Sequence, residues 1–308
     1  MCNIKNNVFA MNYTLLGKSG LSISEISFGC MSLKGSEEEN KKLLHQALNQ
    51  GINFFDTADL YQQGQNEVMV GKAFRGMREQ VVIATKVGNQ LKPDGSGWGW
   101  NPSRAYILQA VEQSLQRLQT DYIDLYQLHG GTINDPIDET IEAFELLKQQ
   151  GKIRYYGISS IRPNIIREYV RRSNISSVMT QYSLLDRRPE EEVLELLQQH
   201  DIGVLARGSL AQGLLAGKAP KSYLNYTSEE VQKAAEAVKQ VATTVRTSSQ
   251  TAVSFALHHP AVTAAVLGIR TENQLTDAVQ IADAAPLTEH ELNTLKAALP
   301  AHKYEQHR

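Results

Sequence analysis

Short apolar runs in this chain end on residues that hold or move protons. Asp56 follows residues 52–55, Lys86 follows 81–85 and His129 follows 122–128, with Tyr61 a short polar segment beyond Asp56. A carboxylate at the end of a buried strand is costly unless it has a partner, and a lysine packed against it gives each group the partner that burial requires. A lysine beside a tyrosine lowers the phenol pKa from about 10, which makes the hydroxyl a usable proton donor near neutral pH. A neighbouring histidine can orient and polarise a carbonyl. Each residue alone also reads as a capped loop residue or a satisfied core polar group. Their convergence from three consecutive strands argues for a site.

The elements that must position them recur along the chain. Residues 12–24 read as a hairpin around Gly17-Lys18-Ser19-Gly20. Strands are expected at 26–28, 52–55, 81–86, 122–128, 153–158, 177–181, 202–206 and 262–267. Helical periodicity lies between them at 37–50, 66–74, 138–150, 162–172 and 189–199, then at 228–246, 249–258, 272–282 and 289–299. Asn101-Pro102 reads as an N-cap and N1 proline opening a further helix. Eight strands alternating with helices argue for a parallel sheet, and at this length for a (β/α)8 barrel. The competitor is an open doubly wound sheet. The chain has no strand–GxGxxG–helix unit, and Gly95-Ser96-Gly97-Trp98-Gly99 sits deep in a loop. Residues 1–11 are expected to be a polar lead-in, and 12–308 one barrel domain.

Composition bounds the partners. The 308 residues carry 31 basic and 33 acidic side chains, net −2, so no global field favours nucleic acid or an anionic membrane. No apolar run approaches the roughly 18 residues that span a bilayer, and residues 1–10 have no signal-like apolar region. The two cysteines, Cys2 and Cys30, suggest no disulfide framework and fit a reducing, cytoplasmic setting. His258-His259-Pro260 reads as a helix cap, with no cysteine or carboxylate cluster to make it a metal site. No self-complementary patch indicates an oligomeric state.

The ordered motifs resemble the aldo-keto reductase family from end to end. They are Phe55-Asp56-Thr57-Ala58 with Tyr61, Ala84-Thr85-Lys86, Gln127-Leu128-His129, Gly157-Ile158-Ser159 and Gly213-Leu214-Leu215-Ala216-Gly217-Lys218. The resemblance is nearest to less characterised bacterial members. It implies a barrel that binds NADPH without a Rossmann fold and reduces a small carbonyl substrate. It implies Tyr61 as general acid/base, Lys86 as its pKa-lowering partner, Asp56 as the group holding Lys86, and His129 as the orienting group. Ser159, Ser160 and Gln181 match positions that bind the nicotinamide carboxamide, with Ser160 standing where the family usually has Asn. Arg207 replaces a stacking tyrosine; a guanidinium also stacks. Gly208, Ser209, Leu210, Gln212, Gly213 and Lys218 match the pyrophosphate loop. Gly268, Arg270, Gln274 and Asp277 match the adenosine end, where Arg270 favours a 2′-phosphate and Ala278 replaces a frequent Asn.

Cys30 and Met31 follow the first barrel strand, where they would lie near the nicotinamide or substrate. No second base accompanies Cys30 in sequence, so it is not read as a nucleophile. Residues 87–102 and 207–227 are long excursions of the kind that carry function. Trp98 and Trp100 are candidates either for the wall of an apolar substrate pocket or for packing on the barrel rim. Residues 303–308 either fold over the pocket mouth or are solvated. Two other readings compete with a carbonyl reductase: an NADPH-binding regulatory module like the potassium channel β-subunits, and a lysine Schiff-base enzyme. Asp56 argues against the second by holding Lys86 charged.

Overall fold

The computed structural model describes residues 11–244 and 246–308. The expected lead-in at 1–10 lies outside these; Met11 belongs to the core. The chain opens with an antiparallel hairpin, β1 (Tyr13–Leu15) and β2 (Ser22–Ser24). β3 (Ile26–Gly29), α1 (Glu37–Asn49), β4 (Phe54–Asp56), α2 (Gln65–Ala73) and β5 (Val82–Val87) follow. A second hairpin, β6 (Asn89–Leu91) and β7 (Trp98–Trp100), precedes α3 (Arg104–Leu118), β8 (Ile123–Leu128), α4 (Ile137–Gln149) and β9 (Ile153–Ser159). Then come α5 (Pro163–Arg172), β10 (Ser177–Gln181), α6 (Val193–Gln199) and β11 (Gly203–Arg207). α7 (Ser228–Val241), α8 (Ser248–Leu257), β12 (Val262–Leu267), α9 (Glu272–Val279) and α10 (Glu289–Ala297) complete it.

β3, β4, β5, β8, β9, β10, β11 and β12 pair in parallel in that order, and β12 returns to β3, closing the eight-stranded barrel. The open-sheet competitor is excluded by that closure. Alternation along each strand decides what faces inward. Phe54, Ala84, Leu125, Met179, Leu205 and Ala264 form an inner apolar layer together with Leu16, Leu21 and Ile23 of the N-terminal hairpin. The hairpin therefore plugs the barrel. Burying each of those three side chains contributes about 1.5–3 kcal/mol relative to exposure. Gly17 allows the plug to seat: its φ is +51° and a Cβ there would meet the backbone of Asp201 and Gly203 at 2.5 Å.

One layer further along the same strands, parity points Asp56, Lys86, Gln127, Ser159, Gln181 and Arg207 inward at the C-terminal ends. The helices cover the outer face, where Phe55, Tyr126, Phe144 and Tyr156 join a continuous core.

Two local expectations are corrected. The N-cap of α3 is Ser103, whose side chain accepts from Tyr106 N, while Asn101 Oδ1 accepts from Ser103 N at 3.1 Å and turns the chain into the helix. α7 ends at Val241, short of 246. Arg246 is instead buried in the following turn, where its guanidinium donates to Ala285 O at 2.9 Å and pairs with Glu291. Three helices, α1, α7 and α10, open on reciprocal capping boxes formed by Ser36–Glu39, Thr227–Glu230 and Thr288–Glu291.

Candidate active site

Lys86 is the centre of the polar layer. Its Nζ lies 2.6 Å from Asp56 Oδ2, 2.7 Å from Thr57 O and 3.3 Å from Tyr61 Oη. These three bonds use its three donors. Lys86 and Asp56 side chains are 1% and 6% exposed. Gln127, directly opposite Lys86 in register, donates from Nε2 to Asp56 Oδ1 at 3.4 Å. In sequence Gln127 stands only within the Gln127-Leu128-His129 motif and is given no role, although it sits two residues before His129 on the same strand face. Burial alone pulls Lys86 down, but Asp56 and then Tyr61 more than offset this and raise its pKa above the ordinary value. Lys86 is therefore a charged donor.

Tyr61 comes from the turn after β4, not from a strand. Thr57 anchors that turn: its N donates to Ala84 O at 2.8 Å and its hydroxyl to Asn66 Oδ1 at 2.6 Å. Gln62 and Gln63 follow Tyr61 with φ of 51° and 55°, a conformation non-glycine residues adopt at a cost. The expectation that Lys86 leaves Tyr61 below its ordinary pKa is corrected. Burial raises the phenol, Lys86 pulls it back only in part, and the net direction is up. Tyr61 thus holds its proton across the neutral range.

The His129 ring stands edge-on to the Tyr61 ring, with centroids 5.8 Å apart and planes at 83°. Burial, then Lys86 and Arg207, push its pKa down to about 3. It is a neutral imidazole at neutral pH, and its Nδ1 is buried without a partner among the described residues. Lys86, Tyr61 and His129 thus offer a charged group, a protonated phenol and a neutral imidazole around one point at the barrel mouth.

The remaining predicted residues occupy an arc of the same rim. Arg207, half-buried at the end of β11, donates to Gln181 Oε1 at 3.0 Å. Gln181 Nε2 donates to Asp186 Oδ2 at 2.9 Å and Tyr223 Oη at 3.1 Å. Ser159 ends β9, whereas the Ser160 hydroxyl accepts from Arg162 N at 3.2 Å and so serves the turn into α5. Gly208 and Gly213 have φ of 74° and 90°, shaping the loop around Ser209, whose buried hydroxyl has no partner among the described residues. Leu210 and Gln212 lie in that loop, and Lys218 folds onto it, donating to Gln212 O at 2.7 Å.

At the far end Arg270 is exposed beside Gly268, its N donating to Gln274 Oε1 at 2.9 Å. Asp277 is turned into the fold, accepting from Thr247 Oγ1 at 3.0 Å and from Ser249. Cys30 is fully buried, and burial pushes its thiol pKa well up, so it is inert; Met31 is exposed.

The two tryptophans divide their work. Trp100 packs on the rim: its Nε1 donates to Asp135 Oδ1 at 2.9 Å, and its ring fills the space beside Gly88, where a Cβ would come within 2.7 Å. Trp98 is exposed and borders a cleft of about 490 Å³, lined also by Leu60, Gln62, Gln63, Leu91 and Pro93. No group of three or more potential metal ligands occurs among the described residues, and no described helix is long and apolar enough to cross a membrane. His259 Nδ1 accepts from Ala261 N at 3.2 Å, a local turn contact.

A closed parallel barrel whose C-terminal mouth gathers a lysine–carboxylate pair, a phenol and an imidazole belongs to the (β/α)8 class. The chain is a member of the aldo/keto reductase family, whose model matches residues 25–300, and it is an oxidoreductase. It is 49% identical over 302 residues to the uncharacterized oxidoreductase YqkF of Bacillus subtilis, covering 95% of this chain and 98% of the relative. The solved aldo-keto reductase AKR11C1 of Bacillus halodurans in its holo form superposes with a TM-score of 0.91 at 50% identity, over 97% of this chain and all of the other. The apo form of that protein gives a TM-score of 0.83 at 48% identity over the same shares of each chain.

Proposed function

We propose that the protein reduces aldehydes or ketones to alcohols with NADPH. The observation that carries this reading is the single ammonium of Lys86 shared by Asp56, Thr57 O and the Tyr61 hydroxyl, 3.3 Å away. The dinucleotide, when bound, supplies the hydride. Ser159, Gln181 and Arg207 would hold its nicotinamide end. The loop from Gly208 to Gly213, with Lys218, would hold its pyrophosphate. Arg270 and Gln274 would hold the adenosine end, with Arg270 on the 2′-phosphate. The residues fit such a ligand: the buried Ser209 hydroxyl is without a partner among the described residues, and an exposed guanidinium stands at Arg270. Asp277, occupied by Thr247 and Ser249, supports the adenosine end indirectly by holding α9 against α8.

The substrate carbonyl oxygen would sit between Tyr61 Oη and the His129 ring. His129, being neutral, donates an N–H to that oxygen and does not compete for the proton. Tyr61 gives its proton as negative charge develops, and Lys86 stabilises the phenolate left behind. These donors act on charge that appears in the transition state. Lys86 is held charged by Asp56, so it does not form a Schiff base. The cleft beside Trp98 would take the rest of the substrate.

The test is to titrate NADPH and then follow its absorbance with a panel of aliphatic and aromatic aldehydes, with NADH in parallel. Turnover with NADPH preferred supports the reading. Tight binding without turnover would favour a cofactor-bound regulatory module. Tyr61→Phe is expected to lose turnover by about 10²–10⁴-fold while NADPH affinity stays. A near-normal rate would refute Tyr61 as proton donor.

A further inference from the structure

We infer that the C-terminal segment around Tyr304 is part of the cofactor seat, and that Arg188 and Tyr304 are positioning residues for Gln181 and Arg207. The inference rests on the reading above that Gln181 and Arg207 flank the nicotinamide.

The contact chain starts at Arg207. Its Nη1 donates to Gln181 Oε1 at 3.0 Å, and both side-chain amide hydrogens of Gln181 are taken, by Asp186 Oδ2 and Tyr223 Oη. A flipped amide would aim its oxygen at the Asp186 carboxylate, so Gln181 is held in one orientation. Asp186 is 2% exposed, and a carboxylate so buried needs a cation. Arg188 supplies one in fork geometry, Nε to Oδ1 at 2.7 Å and Nη2 to Oδ2 at 2.8 Å. The Arg188 guanidinium in turn lies 5.0 Å from the centroid of the Tyr304 ring, itself 5% exposed.

The segment bearing Tyr304 is stitched to the C-terminal side of the barrel. Tyr304 N donates to Glu191 Oε2 at 3.3 Å, Arg308 reaches Glu191 Oε1 at 2.6 Å, and Asn164 N donates to His307 O at 2.9 Å. Removing the ring frees Arg188 to move, which loosens Asp186 and then the amide of Gln181. Binding and ordering are reciprocal, so a cofactor held at Arg207 and Gln181 must in return order the tail.

The experiment measures NADPH affinity of the full chain by fluorescence, with the melting temperature of each cofactor-free variant. Tyr304→Ala is expected to weaken NADPH by about tenfold, while Tyr304→Phe, which keeps the ring under Arg188, stays near wild type. In a Gln181→Met background Tyr304→Ala should have no further effect, because the link through which the loosening passes is already gone. NADPH should also slow amide exchange in residues 304–308 of the unaltered protein, a readout that does not depend on any variant folding. Affinity unchanged in Tyr304→Ala, a full additional loss in the Gln181→Met background, or unaltered exchange at 304–308 would each overturn the inference. If the wild type binds no NADPH, the proposed function fails as well; if it binds and Tyr304→Ala binds equally, only this inference falls.

Discussion

Two buried cation–carboxylate pairs stand back to back on β5. Lys86 points into the barrel and meets Asp56; Thr85, its neighbour, points out and donates to Glu67 Oε1 at 2.6 Å, where Arg117 pairs with Glu67 Oε2 at 2.6 Å. Both carboxylates are buried, Glu67 at 0% and Asp56 at 6% exposure, while the Arg117 side chain is 24% exposed against 1% for Lys86. They differ in what remains to be satisfied. The outer cluster is closed: both Glu67 oxygens are used, and α2 and α3 pack over it. The inner cluster ends on a phenol that faces the mouth, next to an imidazole nitrogen without a described partner. Buried charge alone therefore does not mark a site. The inner pair is the candidate because it ends on a phenol beside an imidazole nitrogen without a partner among the described residues.

That contrast can be broken by four measurements. The largest effect is expected at Lys86→Met, which should cut turnover by about 10³-fold, whereas Arg117→Met should keep the rate within a few-fold at a temperature where it is folded. Comparable rate losses in both would erase the distinction. Next, Glu67→Ala leaves Arg117 uncompensated and should cost about 3–5 kcal/mol in urea unfolding.

Third is Asp59, which borders the outer cluster and whose acid is held up at about 8, chiefly by burial and then by Glu67. The unfolded value is near 3.8, so between 3.8 and about 8 folding takes up a proton. Stability contributed by this group is complete at low pH and declines as pH rises through that window. Asp59→Asn removes the titration, so its stability relative to wild type should climb with pH, by at most about 1.4 kcal/mol per unit. A pH-independent difference would contradict a neutral Asp59.

The smallest effect is expected at the exposed Lys42–Glu272 pair, whose side chains are 67% and 58% exposed. Lys42→Ala should leave the unfolding midpoint nearly unchanged, and added salt should abolish what difference there is.

Much of this was legible in sequence because it is local. Each barrel strand is a short apolar run followed by a helical period, and Asp56, Lys86 and His129 stand at the ends of such runs. The family motifs extend the reading along nearly the whole chain. Residues 87–102 were legible only as a long loop, because β6 and β7 are three residues each and their pairing has no period to detect. For the same reason Trp98 and Trp100 looked equivalent, while the fold gives one to the cleft and the other to Asp135 and Gly88. Asp186 was not read as special: its cation, Arg188, is only two residues away, but the Tyr304 ring that backs Arg188 comes from the distant tail.

By itself the sequence determined the eight-unit architecture and the residue types able to pair a charge with a proton donor, since strand parity and helical period are written in consecutive residues. Only the tertiary structure decided which pair faces the mouth. Thr85 and Lys86 differ by one position, and barrel closure with the hairpin plug beneath turns Lys86 inward. Tertiary structure also set the direction of the Tyr61 pKa, because burial depends on distant elements and here outweighs the neighbouring lysine.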